Sequence, residues 1–173
     1  MAIRDSYEPG TPCWVDVTTR DMHASIAFYA GLFGWAERPD PRPGAGGYGT
    51  FTLGGHIAAG FGPTPSPDVA PAWTVYVSVA DAEATVARVV AHGGTPLLEP
   101  VTVVDRGRVA VVRDVAGDVV GLWQPAGHVG SEVVNDTGAF SWNELATDDL
   151  DRARRIYTEV FTWAEQGPLS DTA

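Results

Sequence analysis

The chain has 173 residues, about one domain's worth, with a hydrophobic fraction of 45% and a charged fraction of 19%, a balance that can bury a core. Eleven Lys and Arg against 22 Asp and Glu leave a formal net charge of −11, which repels phosphate backbones and anionic lipid and argues against a nucleic-acid partner. No apolar run is long enough to span a membrane, the N-terminal residues lack the apolar stretch of a secretory signal, and the single cysteine, Cys13, forbids an internal disulfide and fits a reducing cytoplasm.

In chain order, Pro12 to Thr18 alternates and is rich in β-formers, which predicts a strand. Asp21 can accept the free N–H groups of a first helical turn, so it caps a helix that runs to Phe33 and stops at Gly34. Trp35 to Arg38 begins a second strand, and residues 39–47 are a loop by composition. Tyr48–Leu53 and His56–Phe61 flank Gly54-Gly55 as a hairpin. The unit is strand, helix and three strands. After a Pro-rich segment at 62–71 the same order recurs: strand Trp73–Val79, cap Asp81, helix Ala82–His92, and strands at Thr95–Leu98 with Val101–Asp105, Arg108–Arg113 and Val119–Gln124. Asp81 and Ala84 fall 60 positions after Asp21 and Ala24, so the two units are divergent copies.

A stronger repeat has a spacing of 128. Trp14, Asp16, Thr19, Asp21, Tyr29, Phe33 and Trp35 recur as Trp142, Glu144, Thr147, Asp149, Tyr157, Phe161 and Trp163, with one conservative change and no gap. Residues 126–138 then read as a linker, and 139–173 as the strand and helix of a third unit without its three closing strands. The expected class is α+β: two βαβββ modules, 8–63 and 71–125, form one domain of curled mixed sheet, followed by the start of another. An unpartnered strand edge and amphipathic helix would seek a partner, so this segment is expected either to pack against a second subunit, as in a homodimer through the third module, or to be the least ordered part of the chain.

Paired βαβββ modules, with the strings TTRDMHASIAFYAGLFGW and GRVAVVRDVAGDVVGLWQP, resemble the vicinal oxygen chelate superfamily, which includes glyoxalase I, extradiol dioxygenases and bleomycin-resistance proteins. The strings are similar to a subgroup with two such domains in tandem, sometimes labelled hydroxylase or antigen-like. The resemblance implies a cleft between two curled sheets. In metal-dependent members, His, Glu or Gln on four strands reach a divalent ion there. The matching positions in this chain are Trp14, Ala59, Thr74 and Gly121, a set that cannot supply several converging donors. No metal and no other cofactor is therefore expected. His23, His56, His92 and His128 have no ligand spacing and read as surface residues.

Without the metal, the cleft remains. Residues i and i+2 share one face of a strand, so Trp14 brings Asp16, Thr74 brings Tyr76, Ala59 brings Phe61, and Gly121 brings Trp123. These eight form the expected ligand-binding set, an aromatic pocket with one carboxylate. Asp16 is the candidate general base, its pKa raised by apolar neighbours, and Glu144 keeps an acid at the same place in the other copy. The aromatic walls suit a planar ring or a cation. Cys13 reads as buried and inert; Arg106, Arg108 and Arg113 near one hairpin could hold an anion, but arginines in a strand-edge turn are usually solvated. The expected function is sequestration of a small aromatic or cationic molecule. The alternatives are a metal-independent lyase, isomerase or hydroxylase-type enzyme using Asp16, or an interaction module with a vestigial cleft.

Overall fold

The computed structural model describes residues 2–166. A short strand β1 (Ala2–Ile3) leads into β2 (Pro12–Thr19), helix α1 (Met22–Phe33), β3 (Ala36–Pro39), β4 (Gly49–Leu53) and β5 (His56–Pro63). The second module repeats the order as β6 (Ala72–Ser78), α2 (Ala82–Ala91), β7 (Thr95–Val103), β8 (Gly107–Arg113) and β9 (Val119–Pro125). After them come β10 (Val133–Val134) and α3 (Leu150–Phe161). The predicted breaks between elements hold to within a few residues. The two strands expected between 95 and 105 are one strand, β7, with register shifts beside Pro96 and Pro100.

Eight strands form one open mixed sheet in the order β3-β4-β5-β2-β6-β9-β8-β7. The central pair, β2 and β6, is antiparallel, and each is flanked by the last strand of its own module in parallel, β5 beside β2 and β9 beside β6. Each module therefore runs outward from the centre in the same order, and the two are related by a pseudo-twofold between β2 and β6. That relation pairs Asp16 with Gly60 across β2/β5 and Tyr76 with Gly121 across β6/β9.

One face of the sheet packs on the helices. In the first module Val17, Trp35, Phe51, Ala58, Ala59 and Phe61 form a buried cluster beneath α1. In the second, Val77, Val86, Val89, Val112 and Leu122 cluster with α2. Asp21 and Asp81 cap α1 and α2 as predicted, each accepting from the backbone N–H three residues on, at 2.9 Å.

The third unit departs from expectation. Its strand does not form: Phe140 makes an isolated bridge to Val134, and Trp142 is 72% exposed. With no neighbouring strand to satisfy its N–H and C=O groups, the segment stays irregular. Its helix α3 does form, and folds back onto its own chain. Ala153, Ile156, Tyr157, Val160 and Phe161 are buried in the second module's core. Burial of each larger side chain is worth about 1.5–3 kcal/mol, so the apolar face expected to seek a second subunit is satisfied within the chain. The equivalent positions of α1 behave differently, because Phe28 is 61% exposed and Leu32 58%. Residues of the third unit beyond 166 lie outside the described residues.

The segment expected as a linker, 126–138, is fastened along its length. The β10 strand pairs with β1, Ser131 donates to the carbonyl of Ala58 at 2.8 Å, and the Glu132 N–H donates to that of Ile57 at 2.7 Å. Val133 is fully buried. A two-residue strand is too short for periodicity to reveal.

Candidate functional site

The other face of the sheet carries a cavity of about 680 Å³. The central strands form its floor, with Trp14 and Asp16 from β2, Ile57 from β5, Tyr76 from β6 and Trp123 from β9. The outer strands of both modules rise as walls, from Arg38 to Thr50 on one side and from Leu98 to Val111 on the other. A strap crosses the mouth: Arg42, paired with Asp40, donates from Nη1 to the Val104 carbonyl at 2.7 Å, tying the 40–48 loop to the β7–β8 turn.

Asp16 sits at the centre of a buried hydrogen-bond network. The Tyr48 hydroxyl donates to Oδ2 at 3.0 Å, and the Tyr76 hydroxyl approaches Oδ1 at 3.2 Å and Oδ2 at 3.1 Å. The Trp14 indole N–H donates to the Tyr48 oxygen at 3.2 Å. Burial pushes the Asp16 carboxyl up to about 6, a rise that the two tyrosine hydrogen bonds limit. Burial and the neighbouring carboxylate push both tyrosines well above the usual phenol range, so they stay protonated and serve as donors. A half-buried imidazole completes the wall. The His128 ring lies edge-on to Trp14 at 4.6 Å between centroids and to Trp123 at 5.5 Å. Burial, with Arg106 nearby, brings its pKa down to about 4, so it is neutral near pH 7.

Of the eight residues in the expected set, Trp14, Asp16, Tyr76 and Trp123 line this cavity together. Thr74 pairs with Asp16 across the sheet, half-buried, but is not on the cavity wall. Gly121 lies under the Tyr76 ring, where any Cβ would collide with the aromatic carbons. Ala59 and Phe61 are on the opposite face, packed with Phe51 and Trp35. The register of β5 explains this. Phe51 pairs with Ala59 but Thr52 with Ile57, so Ala58 is an extra, bulged residue. The bulge returns alternation one step late, and Gly60 rather than Ala59 faces the cleft. A Cβ on Gly60 would lie 2.8 Å from the Asp16 Cβ and 2.9 Å from the Trp14 ring.

Sequence reasoning missed Tyr48, read as the first residue of a strand but not assigned to the cleft; it lies just before β4 and lines the cavity with Thr50. It also took His128 for a surface residue because it follows a strand in a glycine-containing turn. Cys13 is fully buried, and burial pushes its thiol up to about 12, so it stays in the unreactive thiol form. The three hairpin arginines separate: Arg108 pairs with Glu83, Arg113 donates to the Gly117 carbonyl at 3.2 Å, and Arg106 lines the cavity.

The donor set does not fit the family's metal. The corrected positions are Trp14, Gly60, Thr74 and Gly121, and among the described residues no three His, Cys, Asp or Glu side chains converge. Nor does any helix among those residues have the length and apolarity to cross a membrane.

A two-module βαβββ sheet with a cleft on its open face is the architecture of one superfamily. Residues 13–121 match the model of the Glyoxalase/Bleomycin resistance protein/Dioxygenase superfamily, and the chain belongs to it. It is 42% identical over 164 residues to the Mycobacterium tuberculosis protein named "Putative glyoxylase CFP32", covering 92% of this chain and 63% of that one. It is 38% identical over 165 residues to the anthracycline biosynthesis protein DauV of Streptomyces sp. strain C5, covering 87% and 60%. The chain thus spans less than two thirds of the length of these relatives. In fold it is similar to the 2,3-dioxygenase LapB of Pseudomonas sp. KL28, with a TM-score of 0.55 at 17% identity over 87% of this chain and 57% of that one. It is similar also to methylmalonyl-CoA epimerase of Mycobacterium tuberculosis, with a TM-score of 0.50 at 18% identity over 72% and 93%.

Proposed function

We propose that this chain binds a small planar aromatic molecule in the cleft, without the metal that other members of the superfamily use. The cavity carries this reading. Its volume of about 680 Å³ suits an organic ligand, its walls are mostly apolar and aromatic, and one buried carboxylate on the floor offers an orienting contact. A relative named for anthracycline biosynthesis supports an aromatic occupant. The test is a tryptophan-fluorescence titration with 2-naphthol. Saturable quenching that weakens several-fold in Asp16→Asn supports the reading, and no saturable binding overturns it.

A second reading is favoured by the position of the Asp16 pKa. A carboxylate with a pKa of about 6, held by two protonated tyrosines, is matched to accepting a proton near neutral pH. On this reading the chain is a metal-independent lyase, isomerase or hydroxylase-type enzyme and Asp16 is its general base. The two readings separate on the fate of a bound aromatic ligand: an enzyme converts it and loses that conversion in Asp16→Asn, whereas a binder returns it unchanged with either side chain.

A further inference from the structure

The chain's eleven basic residues are all arginines, and three of them, Arg38, Arg42 and Arg106, line the one cavity described above. Arg42 is committed to Asp40 and to the Val104 carbonyl. Arg106 is not committed. Its side chain is half-buried in the β7–β8 turn and has no hydrogen bond or ion pair among the described residues, while its backbone carbonyl accepts from Ala126 and His128. A guanidinium has five N–H donors in a planar fork, and those of Arg106 are free to meet an acceptor that enters the cavity. Arg38 on the same wall likewise has no side-chain acceptor among the described residues, whereas Arg20, Arg108, Arg113, Arg152 and Arg154 each have one.

The charges on the cavity wall are arranged by depth. Asp16 lies on the floor, satisfied by its tyrosines. Asp40 at the mouth is neutralised by Arg42. The remaining uncompensated charges on the wall are Arg38 and Arg106, both positive and both on outer elements. Arg106 lies near enough to Asp40 and to His128 for its charge to help lower the pKa of each. A net charge of −11 would otherwise repel an anion, and this local inversion of sign is where one can enter.

We infer that the ligand is an aromatic carboxylate, its anionic group held by Arg106 at the rim and its ring against Trp14, His128 and Trp123. This rests on the cavity being the binding site. It narrows the expected aromatic or cationic ligand to an aromatic anion. A planar carboxylate matches the guanidinium fork in two parallel hydrogen bonds, and a hydroxyl on the far side of the ring would find Asp16 as acceptor.

The test compares three probes of one shape, 2-naphthoate, 2-naphthamide and 2-naphthylmethylammonium, by fluorescence titration at low salt. Expected is at least tenfold tighter binding of the carboxylate than of the amide, with the ammonium weakest. Arg106→Gln should bring carboxylate and amide to within twofold of each other, and a far-UV circular dichroism spectrum matching that of the natural protein shows the variant to be folded. The inference is overturned if the amide binds the natural protein as tightly as the carboxylate, or if Arg106→Gln keeps the carboxylate preference. If none of the three binds, the cavity reading itself falls, and this inference with it.

Discussion

Replacing Asp16 by Asn keeps the shape of the side chain and removes its charge. In the folded protein the carboxyl titrates at about 6 against 3.8 in an exposed chain, because burial disfavours the anion more than Tyr48 and Tyr76 restore it. Between those two values the native state holds a proton that the unfolded state has released. Stability therefore falls as pH rises through the window, and the penalty is complete above about pH 6. A difference of about 2 units at 1.36 kcal/mol each amounts to about 3 kcal/mol. The variant has no such slope. The stability of Asp16→Asn minus that of the natural protein should thus rise by about 3 kcal/mol from acid to neutral pH. Every other titrating group is common to both proteins and cancels. Urea unfolding with linear extrapolation at several pH values between about 4 and 8 measures the difference. A difference that stays flat across this range would show that the carboxyl is not held near 6, and the desolvated-acid account of the floor would be wrong.

Tyr48→Phe removes a donor to Asp16 and the acceptor of the Trp14 indole, so the Asp16 pKa should rise further, as read by carboxyl carbon shifts in a pH titration. Gly121→Ala pushes a methyl into the Tyr76 ring; a loss of about 1–3 kcal/mol in urea unfolding is expected, together with loss of probe binding as Tyr76 leaves Asp16. Thr162 ends α3 in the left-handed conformation at φ 61, where Gly34 ends α1 at φ 72. A β-branched residue is disfavoured there by roughly 1–2 kcal/mol, so Thr162→Gly should raise thermal stability, and an unchanged or lower midpoint would contradict the cap assignment.

The fold was legible because three kinds of signal agreed. The 128-residue repeat and the weaker 60-residue one set the modules, Asp caps marked where each helix begins, and alternation marked the strands. The site was legible only where strands were regular. On β2, β6 and β9 the period-2 rule put Trp14, Asp16, Tyr76 and Trp123 on one face, and the structure has them together around the cavity. On β5 a single extra residue, Ala58, reversed the faces and misassigned Ala59 and Phe61. Nothing local announces such a bulge, since it follows from pairing with β4. His128 and Arg106 lie in turns, where neither period applies and tertiary approach alone decides what they line, and Tyr48 lies at the end of a loop next to β4. The third unit misled for a related reason. Its helix carries the same apolar stripe as α1, but the surface that the stripe finds, the second module's core, is a long-range contact.

The most direct measurement of the central claim uses the six tryptophans as reporters. Their indole N–H signals in a proton–nitrogen NMR spectrum can be assigned by single substitution and followed as 2-naphthoate is added. Saturable shifts are expected at Trp14 and Trp123, which line the cavity, and none at Trp142, which is exposed to solvent away from it. Unmoved signals from Trp14 and Trp123 at saturating probe, or movement largest at Trp142, would contradict that claim.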